Sequence, residues 1–222
     1  MRAYAAAVST TATFETILDA ATSGQREKPA KSTTTAYRDV LARLWIIEPV
    51  PAWLPTRNHL AALAVAPKHQ LADPALAARL LGVDGGALLQ GTSAMIKERV
   101  SPTVVRQHAL RDASLLGRLF ESLVTLNMRV YAQSAEASVH HARTHEERHE
   151  IYLMIVRGDQ RVVAVEVKMG AVVIDDDVRH LHWLRTQLGD AELLDAIVIT
   201  TGARAYRRSD GIGVIPAALL GP

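Results

Sequence analysis

Two apolar, β-branched runs, Ile151–Arg157 and Arg161–Met169, are separated by Gly158-Asp159. Gly-Asp between alternating runs is hairpin chemistry, so this stretch commits the chain to an antiparallel strand pair. Strand side chains alternate, which puts Glu166 and Lys168 on one face and Val165 and Val167 on the other. The surroundings extend the sheet. A long helix over 112–132 carries Leu115, Leu116, Leu119, Leu123, Leu126 and Val130, and a strand over Val139–Thr144 follows it. Asp175–Leu188 reads as a helix whose three leading aspartates suit the positive end of its dipole. Leu194–Thr200 reads as a buried strand and Ile212–Ile215 as a last one. Helix, strands, helix, strand, strand is an α/β layout, a mixed sheet flanked by helices.

The first part of the chain reads differently. Residues 3–21 read as helix, interrupted near Ser9–Thr13, with Phe14, Ile17, Leu18 and Ala21 on one face. Residues 23–29 form a polar loop. Ser32–Thr35 offers hydroxyl caps to a helix from Thr33 to Ile47, whose expected buried stripe is Tyr37, Val40, Leu41, Leu44 and Trp45. Its outward residues would be Thr34, Thr35, Arg38, Ala42 and Arg43. Leu60–Val65 is apolar enough for a strand. Asp73-Pro74 starts a short helix that Gly82 closes, and Gly85-Gly86 reads as a loop. The expected segments are 1–70, a three-helix unit; 71–111, a connecting helix and loop; and 112–222, the α/β domain.

Composition removes whole classes of function. With 49% hydrophobic and 22% charged residues over 222 positions, the chain is not a disordered one. No apolar run approaches the roughly 18 residues that span a bilayer. There is no cysteine, hence no disulfide framework and no thiolate metal site. The expected address is the cytoplasm, with no membrane partner. Net charge is +2, divided as +4 over residues 1–110 and −2 over residues 111–222. A polyanion therefore suits the first half better, and Lys31, Arg38 and Arg43 are its expected phosphate contacts.

Ala164-Val165-Glu166-Val167-Lys168 is the richest stretch for chemistry. A carboxylate and an ammonium side by side at a strand end hold a divalent cation and orient a water, or they form an ordinary cross-strand ion pair. Gly117-Arg118-Leu119-Phe120-Glu121 places a carboxylate in an apolar helix ahead of the hairpin, and Glu150-Ile151-Tyr152 begins the partner strand. A helix Glu, a strand residue and Glu-x-Lys on the paired strand form the layout of a PD-(D/E)xK nuclease core. The four histidines His140, His141, His145 and His149 read as a solvated hairpin tip. His180 and His182 stand two apart in a helix and do not face each other.

In these residues the chain resembles the C-terminal region of a group of bacterial and archaeal AAA+-type ATP-binding proteins: a winged helix followed by a restriction-endonuclease-like domain. The resemblance runs through Arg2-Ala3-Tyr4-Ala5, Thr35-Ala36-Tyr37-Arg38-Asp39-Val40-Leu41, Trp45–Trp53, Pro67-Lys68-His69 and Leu71–Leu76. It continues through Gly117–Val124, Arg143-Thr144, Glu150–Leu153, Val165–Lys168 and Thr200-Thr201-Gly202. It implies an N-terminal winged-helix-like module, a PD-(D/E)xK nuclease-like sheet, and a catalytic set of Glu121, Glu166 and Lys168. Mg²⁺ is the implied cofactor, held by Glu121 and Glu166 with Glu150 as a third ligand. Where the family carries Glu-Val-Asp, this chain has Glu150-Ile151-Tyr152, and a phenol is a poor ligand for a hard cation. Tyr152→Asp is thus expected to raise metal affinity. No Gly-x-x-x-x-Gly-Lys-Ser/Thr occurs, so ATP hydrolysis does not carry over. The expected function is a nucleic-acid- or protein-binding module with a degenerate nuclease-like domain. The alternatives are a Mg²⁺-dependent DNA endonuclease and a structural assembly module of an ATPase. The sequence leaves the oligomeric state open.

Overall fold

The computed structural model describes residues 1–22, 29–54, 65–90, 102–144 and 149–221, with the side chains of 31, 90 and 102–114 outside that description. The chain divides into two compact units, Met1–Pro49 with Lys68–Leu123, and Val50–Pro67 with Val124–Pro222. These cuts fall at other places than the sequence segments 1–70, 71–111 and 112–222.

The first unit holds α1 (Arg2–Ala6), α2 (Phe14–Thr22), α3 (Lys31–Arg43), α4 (Pro74–Leu81), α5 (Gly85–Gln90) and the first part of α6 (Pro102–Ser134). The expected break near Ser9–Thr13 separates α1 from α2. α4 begins as its sequence dictates: the Asp73 carboxylate accepts from the Ala75 N–H at 2.7 Å, Pro74 takes the first turn, and Gly82 closes the helix at φ 73°. The core gathers Tyr4, Ala5 and Val8 with Ile47, Leu71, Ala77, Val83, Leu115 and Leu119. An antiparallel bridge joins Ile47 to Leu71, and the Glu48 N–H donates to the Gln70 carbonyl at 2.9 Å.

Several expectations for this unit need correction. α3 starts at Lys31 behind Ala30, with no side-chain cap, so Ser32–Thr35 are helical residues rather than caps. Its apolar stripe is exposed: Tyr37 at 67%, Val40 at 52%, Leu44 at 61% and Trp45 at 73%. Only Leu41 of that stripe packs against the core. Thr34, Thr35 and Arg38, expected to face outward, instead line a cavity of about 600 Å³ with Phe14, Ile17 and Leu18 of α2. Tyr37 and Leu41 of the stripe line the same cavity, and Ala42 and Arg43 are exposed as expected, so the helix is rotated relative to its binary pattern. Gly85-Gly86 opens α5 instead of a loop, with Asp84 accepting from the Ala87 N–H at 2.7 Å. The Leu60–Val65 strand lies, but for Val65, outside the described residues.

The second unit is a six-stranded mixed sheet in the order β1-β2-β3-β4-β6-β5. Its strands are β1 (Ser138–Arg143), β2 (Glu150–Val156), β3 (Val162–Lys168), β4 (Leu193–Thr200), β5 (Tyr206–Arg207) and β6 (Gly213–Pro216), with α7 (Asp175–Glu192) between β3 and β4. β1, β2 and β3 run antiparallel; β3, β4 and β6 run parallel. A β–α–β crossover through α7 supplies the parallel step. α7 kinks at Gly189 (φ 66°), so its regular part ends at Leu188, where the sequence places it. Val178, Leu181 and Leu184 of α7 cover Val162, Ala164, Ala196, Val198 and Val214 of the sheet. β5 is too short to leave a sequence signal.

α6 runs well beyond 112–132, and its buried side differs from the leucine stripe. Val124, Thr125, Met128 and Ala132 are buried, whereas Leu123 and Val130 are exposed. The leucines had drawn the face about one residue out of phase for this half of the helix.

Candidate functional site

β3 sets the site. Val162 and Ala164 point into the core under α7, and alternation carries Glu166 and Lys168 along the same face beyond it. The first turn of α7 arrives there too. Its Asp177 accepts from the Ile174 N–H at 3.0 Å through one carboxylate oxygen. The other oxygen lies 3.6 Å from the Lys168 ammonium, and Glu166 Oε1 lies 3.8 Å from it. Lys168 therefore bridges two carboxylates. These separations exceed hydrogen-bond length, so the contacts are Coulombic.

Two histidines border the cluster. His180 Nδ1 is 3.2 Å from His149 Nδ1, and the His149 ring stacks on Trp183 at 4.2 Å and 4°. Arg179 Nε–H donates to His180 Nε2 at 3.1 Å. That nitrogen is thus the acceptor, which places the proton of neutral His180 on Nδ1, donating to His149. Burial, with the cations Arg179 and Lys168 and the neighbouring His149, holds His180 below the usual histidine range; Glu150 opposes them. Trp183 and Trp53 line a cavity of about 290 Å³ with Arg143, Ile151 and Gln187.

Tyr152 goes elsewhere. Between the pairs His140–Met154 and Ala142–Ile151, β1 spends one residue, His141, where β2 spends two, Tyr152 and Leu153. That bulge interrupts the alternation, so Ile151 and Met154 both join the core beneath α7. Tyr152 is buried, its hydroxyl 3.1 Å from Thr125 Oγ1 on α6. His141, opposite the bulge, is also buried, and its Nε2–H donates to the Ala66 carbonyl at 3.2 Å. A solvated hairpin tip is therefore the wrong description of His141, while His145 lies outside the described residues.

Of the expected set, Glu166 and Lys168 come together. Glu150 pairs in register with Arg143 across β1 and β2 and acts electrostatically on His180. Glu121 belongs to the first unit, where its charge acts on Arg118. Burial lowers the Arg118 pKa, and its guanidinium donates to the Ala6 carbonyl at 3.1 Å. Arg38 lies 4.3 Å above the Phe14 ring and 3.4 Å from Asp39; Arg43 is exposed; the Lys31 side chain lies outside the description. Sequence reasoning missed Asp177, His180 and Trp183. The three aspartates at 175–177 were the available signal, but it read as a dipole effect alone. Among the described residues no group of three or more His, Asp or Glu side chains is placed to hold a metal ion. Nor is any helix among them long and apolar enough to cross a membrane.

A second ionic cluster braces the start of α7. Arg208 donates to Asp210 at 3.0 Å, to the Val173 carbonyl at 3.0 Å, and to Asp175. Asp210 also meets His182 at 3.1 Å. Burial pushes the Asp210 carboxyl up, but the Ile212 N–H and Arg208 outweigh it and hold it low.

A family described as "Domain of unknown function (DUF4143)" matches residues 116–220, just under half of the chain. The matched segment takes in the whole six-stranded sheet. No curated protein matches. Among solved structures, the chain is similar to one in the refined half-complex from a tetradecameric assembly of Thermococcus gammatolerans McrB AAA+ hexamers with bound McrC. Identity is 13% and the TM-score 0.32, covering 89% of this chain and 64% of that chain. A likeness at that level does not define a shared fold.

Proposed function

We propose that the chain is a noncatalytic binding module: a winged-helix-like part joined to a PD-(D/E)xK nuclease-like domain that no longer hydrolyses nucleic acid. In this reading it serves as a docking piece of an ATP-driven assembly. The observation that carries it is the Lys168 ammonium, 3.8 Å from Glu166 and 3.6 Å from Asp177. A hard cation needs anionic oxygens converging on it, and here an ammonium already balances both carboxylates. The Tyr152 hydroxyl is directed at Thr125, so the position expected to carry a ligand carries none. Protein is favoured over nucleic acid as partner. Arg38 covers Phe14 instead of reaching outward, and Tyr37, Val40 and Leu44 are exposed on and beside α3.

Plasmid nicking in Mg²⁺ and in Mn²⁺ tests the reading. The protein should leave supercoiled DNA intact. Robust nicking abolished by Glu166→Ala or by Lys168→Ala would establish the endonuclease alternative instead, with Glu166 as a ligand and Lys168 positioning water. Asp177 is the observation that favours that alternative, since it adds a carboxylate next to Lys168. DNA affinity with a steep salt slope, weakened by charge reversal at Arg38 and Arg43, would restore nucleic acid as the partner.

A further inference from the structure

We infer that His149 and His180 form a two-histidine chelate for a borderline-soft divalent cation of the zinc type, held through the Nδ1 atoms that face each other between the start of β2 and α7. The inference does not depend on whether the second unit hydrolyses nucleic acid.

Spacing comes first. The two Nδ1 atoms are 3.2 Å apart, on residues 31 positions apart in the chain. Two imidazoles on one tetrahedral zinc, each at about 2.0–2.1 Å from it, stand roughly 3.3 Å from one another. The rings thus already have the separation of a chelate, with centroids 5.3 Å apart. A tilt of the rings aims both lone pairs at one point, and no backbone has to move.

Both rings are fixed from outside the pair. The His149 ring stacks on Trp183 at 4.2 Å and 4°. Its backbone N–H donates to Thr144 Oγ1 at 3.1 Å, and its carbonyl accepts from the Thr144 N–H at 2.9 Å. His180 lies between Val178 and Leu181 of α7, both buried against the sheet. Ligands positioned before the ion arrives lose little freedom on binding it.

Protonation and charge decide whether a cation is accepted. A ligating histidine must be neutral. Burial first, then Arg179, His149 and Lys168, hold His180 below the usual histidine range, so it is uncharged at neutral pH. One proton lies between the two Nδ1 atoms, on His180. A bound ion takes its place: the proton moves to His180 Nε2, and Arg179 leaves that nitrogen. Arg179 is exposed and already paired with Asp176, so its release costs little. Lys168 is balanced by Glu166 and Asp177. Glu150 acts on His180 with the sign that favours a cation; Arg143, across from Glu150 in the strand register, offsets part of that attraction.

The donor set selects the ion. Imidazole suits zinc, copper and nickel, whereas Mg²⁺ takes oxygen ligands and Mn²⁺ stands lowest in the divalent series. The chelate therefore differs in kind from a carboxylate centre at Glu166. Two protein ligands leave the other positions to water, so the ion is held reversibly and stays open to a further ligand.

Calorimetric titration of Zn²⁺ into the full chain at neutral pH tests this, with the histidine ring signals followed by NMR. One equivalent should bind, and the signals of His149 and His180 should move in step with the heat. His149→Gln and His180→Gln should each weaken binding by roughly tenfold or more. His182→Gln, whose imidazole engages Asp210, should leave it unchanged. Excess Mg²⁺ should not displace the zinc. Absence of saturable zinc binding overturns the proposal. So does binding that survives both glutamine substitutions, or that His182→Gln or Mg²⁺ removes. Should a glutamine variant fail to fold, the NMR titration of the unmodified protein decides: zinc that shifts other histidines and leaves these two in place overturns the proposal.

Discussion

Strand β3 and helix α3 each carry charged residues beside apolar ones, yet their side chains are disposed of in opposite ways. β3 lies between β2 and β4, and Val162, Ala164 and Val165 are wholly buried. Its charged pair is compensated: Lys168 sits between Glu166 and Asp177. α3 leaves Tyr37 and Val40 largely exposed and lines a groove with Thr34, Thr35, Tyr37, Arg38 and Leu41. In the first region the local pattern and the packing agree, and the result is a closed core. In the second they conflict, and such conflict between levels is expected where function is served at the expense of stability. A uniform protein would have neither an ammonium filling an acidic site nor a tryptophan strained into view.

The contrast breaks most visibly at Tyr152. Because its hydroxyl is buried against Thr125, Tyr152→Asp places a carboxylate in a closed site and should cost about 3–5 kcal/mol, read by urea unfolding. The structure thus replaces the expectation of raised metal affinity with one of lost stability. Next in size, Leu181→Ala should cost about 2–5 kcal/mol, since Leu181 is buried between α7 and the sheet. On α3 the signs differ. Trp45→Gly should stabilise the monomer by about 1 kcal/mol through relief of its positive φ. Leu44→Ala should change monomer stability by less than about 0.5 kcal/mol, as an exposed position allows. A large loss at Leu44 in monomeric protein would show that the α3 face is covered within one chain.

The smallest effect concerns pH. His180 has its folded value below the ordinary histidine value of 6.5. The unfolded chain therefore binds the proton more readily, so stability is full above the ordinary value and falls as pH drops through it. Protonation of His180 at Nε2 also opposes Arg179. The His180 ring protons, followed by NMR against pH, should titrate with a midpoint below that of free histidine. A midpoint above the ordinary value would contradict the assignment.

Much of the second unit was legible in the chain. The Gly158-Asp159 turn, the alternation through Val162–Lys168 and the aspartates at 175–177 each write one element locally, and each element is present. What the residues do not write is an inserted position. The bulge at Tyr152 and Leu153 depends on how β2 registers with β1, and it decides that Tyr152 meets Thr125. Asp177 was readable as a helix-start residue but not as a neighbour of Lys168, because nine residues and a change of element separate them. α3 misled for a different reason. Periodicity tells which residues share a face, and not which face meets the core. Leu115 and Leu119 were placed correctly on α6, whereas Leu123 and Val130 fell on its exposed side.

Calorimetric titration of Mn²⁺ into the unmodified protein at neutral pH bears most directly on the central claim, that Lys168 already balances the carboxylates of Glu166 and Asp177. The account predicts no saturable heat at the site, and an unchanged trace for Glu166→Ala. One equivalent of bound Mn²⁺ in the unmodified protein, lost in Glu166→Ala, would contradict it.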